Sequence, residues 1–122
     1  RGLCLHAGGN GAEKETMIRK GQIEDMLGRL EIPFAYHHFE KEDVVNPPFI
    51  CWLSPGTDNF SADGKVYHRC DELDIELYTD ERDFGLERRL EQLLDEQGIF
   101  WDKTELYIES ENMFEILYEM EV

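Results

Sequence analysis

Apolar positions along the chain change period several times, and each change marks an element. From about Ile18 to Leu30, the residues Ile23, Met26, Leu27 and Leu30 recur at helical spacing. Glu31-Ile32-Pro33 ends that pattern, because the residue before a proline is pushed out of helical geometry. Gly21 and Gly28 each weaken this helix by about 1 kcal/mol relative to alanine, so it must draw its stability from packing. Phe34 to Phe39 reads as a strand. After the acidic loop Glu40 to Asn46, the run Phe49-Ile50-Cys51-Trp52-Leu53 is apolar on both faces, as a central covered strand would be. Pro47-Pro48 and Ser54-Pro55-Gly56 bound it.

Asp63-Gly64 within Phe60 to Val66 is placed for a hairpin turn, since glycine accepts the positive φ such turns demand. A returning strand is expected from about Val66 to Thr79, where Leu73, Ile75 and Leu77 alternate with Asp74, Glu76 and Tyr78. Asp80 or Asp83 can cap the next helix, whose apolar face is Leu86, Leu90, Leu93 and Leu94 and whose end is marked by Gly98. Two last strands, Thr104 to Glu109 and Met113 to Val122, complete the pattern. In the second of these Phe114, Ile116, Tyr118, Met120 and Val122 form one almost wholly apolar face. The predicted fold is therefore α+β, a mainly antiparallel sheet with two helices packed on one face, in the order α-β-β-β-α-β-β.

Residues 1–16 (RGLCLHAGGNGAEKET) show no such periodicity and read as a flexible leader, with residues 17–122 as the single folded domain. Met17 opens the first patterned segment. The leader is then upstream translation, added sequence or the end of a longer product, and it receives no function. At 122 residues one domain can bury its own core, and 41% hydrophobic content is too rich for a disordered acidic tail.

Charge narrows the function classes. Twelve Lys and Arg stand against 28 Asp and Glu, a net charge of -16. Broad binding to phosphate backbones needs basic side chains to displace counterions, so it is not expected. Arg1 and Lys14 cancel Glu13 and Glu15 in the leader, leaving the excess to the folded part. Cys4, Cys51 and Cys70 are odd in number and lack CxxC spacing, so disulfides are not expected to hold the fold and a reducing compartment is its simplest home. No apolar run approaches the ~20 residues of a membrane helix.

Candidate chemistry is sparse. Neighbouring strand positions point to opposite faces, so His37 and His38 are not expected to chelate one ion side by side. One of them with His68 and an acid would be the only metal arrangement, and a solvent-facing pair is the plainer reading. Cys51 and Cys70 fall in predicted strands as small buried hydrophobes. Carboxylates are too abundant for any pair to stand out. Phosphate-loop, GxSxG, HExxH and calcium-loop patterns are absent, and Gly8-Gly9-Asn10-Gly11 follows no strand. Asp74, Glu76, Glu105, Glu109, Glu115, Glu119 and Glu121 read as solvated strand faces that also discourage edge pairing. No catalytic residue, cofactor or metal is assigned. For protein contact the first candidates are the hairpin tip, Asn59, Phe60, Asp63 and Gly64, because it sets an aromatic among polar turn residues. Glu42 and Asp43 in the acidic loop are second.

One stretch carries a resemblance: PFICWLSPGTDNFSADGKVY (Pro48 to Tyr67), followed by Ile75-Glu76-Leu77-Tyr78-Thr79-Asp80. With Leu94 to Phe100 and Tyr107 to Glu111, it resembles a family of small proteins from the structural modules of phages and prophages of Gram-positive bacteria. That family looks like the tail terminator, or tail-completion, proteins of long-tailed phages. The resemblance spans about Met17 to Val122. It implies an α+β virion protein without catalytic activity, placed in the tail or neck after assembly in the host cytoplasm. It further implies a homo-oligomeric ring, usually of six subunits, that caps the tail tube and joins it to the head connector. Its partners would be the major tail tube protein and a head-completion or connector protein, with DNA passing through unbound and no membrane involved. Another neck protein of the same module, an acidic DNA-mimic inhibitor and a small metal-dependent enzyme are the alternatives.

Overall fold

The structure is a computed structural model that describes residues 20–57, 60–62, 65–68 and 70–122, with backbone alone for 60–62 and 65–68. The elements are α1 (Lys20–Gly28), β1 (Phe34–Tyr36), β2 (Phe49–Leu53), β3 (Phe60–Ala62), β4 (Lys65–His68), β5 (Glu72–Thr79), α2 (Phe84–Glu96), β6 (Trp101–Ile108) and β7 (Met113–Glu121). β1, β2, β5, β7 and β6 form one sheet in that order, and β3 and β4 form a separate two-stranded ribbon. The proposed leader, residues 1–16, lies outside the described residues.

Every pairing in the five-stranded sheet is antiparallel except β1 with β2, which is parallel. The main sheet and its two helices reproduce the predicted order α-β-β-β-α-β-β. The expected returning strand from Val66 is instead two elements, because the chain is pinned between them. Thr57 bridges Asp71, Glu72 donates its N–H to Gly56 O at 2.8 Å, and Ser54 Oγ donates to Glu72 O at 2.7 Å. These contacts close the base of the ribbon and start β5 afresh beside β2.

Both helices pack on one face of the sheet, as the stripes require. Ile23, Met26, Leu27 and Leu30 from α1 and its exit meet Leu86, Leu90, Leu93 and Leu94 of α2 in one cluster. Ile50, Trp52, Leu73, Ile75, Leu77, Ile116, Tyr118 and Met120 form its floor. Each such side chain contributes about 1.5–3 kcal/mol on leaving water. Asp83 is the cap of α2, its Oδ1 accepting the Leu86 N–H at 3.0 Å. Gly98 at φ 73 turns the chain after the helix, a conformation that glycine adopts without strain.

Three expectations need correction. β1 stops at Tyr36 instead of running to Phe39, because His37 takes a left-handed φ of 70 and breaks the extended path. β6 begins at Trp101, three residues before the expected start. Cys70 is buried but outside any strand and is disulfide-bonded, which counters the expectation that disulfides do not hold the fold, while Cys51 is free and buried in β2.

Candidate functional site

Burial of charge under α2 is the first feature that composition did not announce. Glu87 and Glu91 are on the helix face turned toward the sheet and are 1% and 7% exposed. Glu87 accepts Arg82 Nε at 2.8 Å and Nη2 at 2.9 Å, a two-pronged guanidinium contact, and Lys103 Nζ at 3.1 Å. Glu91 accepts Lys103 Nζ at 2.7 Å and the Tyr118 hydroxyl at 2.8 Å. Arg82 also donates to Glu105. The network joins α2 to β6 and β7 and leaves both buried carboxylates with cations.

Titration follows from that geometry. Burial pushes Glu87 upward, but hydrogen bonds and charge from Arg82 and Lys103 outweigh it and hold the carboxyl below its usual range. Lys103, although burial lowers it, is raised by Glu91 and Glu87. Tyr118 is raised by burial first and by Glu91 second, which keeps its hydroxyl a donor.

Among the described residues no helix covers the opposite face of the sheet, and its chemistry is different. Cross-strand register places Cys51 opposite Glu76, and Tyr78 between Phe49 and Glu115. Phe39 meets Phe49 edge-on at 5.5 Å, and Phe49 stacks on Tyr78 at 4.9 Å. The Tyr78 hydroxyl donates to Glu76 Oε1 at 3.1 Å. Glu115 is raised to about 7 by burial, by the charge of Glu76 and by a hydrogen bond with it. Burial, aided by Glu76 and Glu115, pushes the Cys51 thiol up to about 11. A thiol so placed stays protonated at neutral pH and is a poor nucleophile.

The predicted contact residues are only partly visible. Asn59, Asp63 and Gly64 lie outside the described residues, and Phe60 opens β3 with its side chain likewise undescribed. Glu42 and Asp43 are exposed, in a turn closed by Asp43 N–H on Glu40 O at 3.0 Å. His37 and His38 do come together, with Nδ1 atoms 3.0 Å apart, because neither lies in a strand. Among the described residues no group of three or more His, Cys, Asp or Glu is arranged to hold a metal ion. Glu105, read from sequence as part of a solvated acidic face, contacts Arg82 and lies opposite Ile116 on the core side.

Two depressions of about 210 and 250 Å³ flank α1. Both fall below the ~300 Å³ at which small-molecule sites begin. Exposed apolar side chains are a stronger surface feature. Phe84 and Phe100 are 66% and 73% exposed, and Leu106 and Tyr107 about half exposed, all on or beside β6. Tyr36 and Val44 are exposed at the β1 side.

No protein-family model matches the chain, and no curated protein matches it by sequence. Its fold has a solved counterpart. A chain from the virion of a native gene transfer agent (GTA) particle superposes with a TM-score of 0.52 at 10% identity, covering 81% of both chains. At that identity the likeness is one of fold. It extends over most of each chain.

Proposed function

We propose that this chain is a structural virion protein of a long-tailed phage or phage-like particle, and within that class a tail terminator. The observation that carries the reading is the fold shared with a GTA virion chain over four-fifths of each chain. The family resemblance of Pro48 to Tyr67 supports it independently, because it is a sequence string and owes nothing to the superposition. In this reading copies of the chain close into a ring, six being the family's usual number, on the end of the tail tube. They contact the major tail tube protein on one side and a head-completion or connector protein on the other. The chain performs no catalysis, and its carboxylates let DNA pass through the lumen without sticking.

Six copies would carry six times the -16 of one chain, and that repulsion must be offset by apolar contact, salt or basic partners. Rings therefore close more readily as salt is added or on meeting the tube. Negative-stain microscopy of the protein mixed with tail tubes should show a cap at one end. Bare tubes at every ionic strength would reject the role. The ribbon bearing Phe60 is assigned as the first contact, so Phe60→Ala should leave the chain folded and reduce capping. Unchanged capping would remove the ribbon from the interface. A cap at the connector end of heads instead of on tubes would favour another neck protein.

A further inference from the structure

Among the described residues β6 is an edge strand, paired on one side only, and every residue from Asp102 to Tyr107 along it is exposed. An edge of that length presents unmet N–H and C=O groups to any chain able to pair with it. Four of the six large apolar side chains exposed among the described residues border this strand: Phe84, Phe100, Leu106 and Tyr107. Phe84 belongs to this edge because Arg82, whose guanidinium stands 4.5 Å from the Phe84 ring centre, also contacts Glu105 of β6.

The geometry points to a two-fold partner for this edge, β6 of a second copy running antiparallel with Thr104 at the centre, which joins two five-stranded sheets into one. The occupant follows from the order of residues. Reading outward from Thr104, Lys103 meets Glu105 of the other copy, Asp102 meets Leu106, Trp101 meets Tyr107, and Phe100 meets Ile108. Opposite-charge, aromatic and Thr-Thr pairs are the favourable cross-strand combinations, and this register supplies all of them at once. By symmetry each is made twice, save the central threonine pair.

Lys103 and Glu105 are drawn toward α2 by Glu87, Glu91 and Arg82, and charges so placed defend an edge against arbitrary strands. They do not defend it against itself, since in this register each cation faces an anion. Net charge points the same way. β6 contributes only Asp102 and Glu105 against Lys103, so the repulsion between copies comes from the rest of the chain and is screened by salt. The rival at the other edge, β1, is three residues long and offers far less backbone to pair.

A two-fold contact of this kind closes on itself and cannot propagate. It is therefore a state of the free chain, distinct from any ring on a tail tube, and it does not rest on the tail-terminator reading. Analytical ultracentrifugation of the chain alone, from micromolar to millimolar concentration and with added salt, should show a monomer-dimer equilibrium. Leu106→Asp, which sets two acids opposite each other twice across the seam, should weaken it about tenfold or more, equivalent to ~1.4 kcal/mol, with the circular-dichroism melt checking that the variant folds.

Position-specific crosslinking tests the register. Thr104→Cys should give a diamide-induced dimer, since each introduced thiol faces its own counterpart at cross-strand distance. Asp102→Cys, which faces Leu106, should give little. A strictly monomeric wild type, or equal crosslinking at both positions, overturns the proposal. Tail-tube capping does not enter these measurements, so the two readings fail separately.

Discussion

Glu87 with Glu91 and Glu76 with Glu115 are two carboxylate pairs on opposite sides of one sheet, and the protein treats them in opposite ways. The first pair is the more deeply buried, yet Glu87 is held below its usual range; the second is only partly buried, yet Glu115 is raised to about 7. Burial alone predicts the reverse order. What differs is company: Arg82, Lys103 and the Tyr118 hydroxyl aim at the first pair, whereas the second pair meets Tyr78, Cys51 and each other. A buried acid is governed by its partners, and loss of water decides where no cation is at hand.

The largest effect should come from removing an acid from the first pair. Glu87→Ala leaves Arg82 without its main counter-charge and takes one of two carboxylates from Lys103, and breaking a buried ion pair from one side costs about 3 kcal/mol. Urea denaturation would register this as a lower midpoint. A loss below about 1 kcal/mol would mean the network is solvated and the comparison false. Tyr118→Phe deletes the hydroxyl that donates to Glu91 but keeps the ring in the core. It should cost about 2 kcal/mol, as for a hydrogen bond to a charged group. Asp83→Ala removes the cap of the helix that carries both acids and should cost about 1 kcal/mol, measured the same way.

Much of the fold was legible because period and polarity agreed with it. Leu73, Ile75 and Leu77 alternate as β5 requires, and Leu86, Leu90, Leu93 and Leu94 turn one face of α2 to the core. The acids under α2 were not legible, for a physical reason. Glu87 and Glu91 stand next to that leucine stripe in helical projection, and only the approach of Lys103 from another element makes their burial tolerable. Likewise β6 looks amphipathic in no simple way, since Lys103 and Glu105 occupy core-side positions by virtue of contacts with α2 and Arg82. The early stop of β1 rests on the left-handed His37, which a string of strand-forming aromatics conceals. For the contact surface, the ribbon drew attention through Phe60, while the exposed residues along β6 are scattered in sequence and gather only when α2 and β6 lie side by side.

The second pair gives the smallest effect and the sharpest sign. Because the Glu115 carboxyl binds its proton more tightly folded than unfolded, it stabilises the fold at low pH. That contribution is complete below about 4.5 and is lost as pH rises to about 7. Glu87, with its folded value lowered, acts oppositely: its contribution is present above the ordinary carboxylate range and is lost only as pH falls through it. Glu115→Gln fixes the neutral form, so it should raise stability at pH 8 by about 0.5 kcal/mol, a small figure because the group is partly solvated. It should also flatten the decline between pH 4.5 and 7 while leaving the acid limb intact. Thermal melts across that range distinguish the outcomes. A flattened acid limb would assign it to Glu115, and an unchanged decline above pH 4.5 would show that the fold does not raise the Glu115 carboxyl.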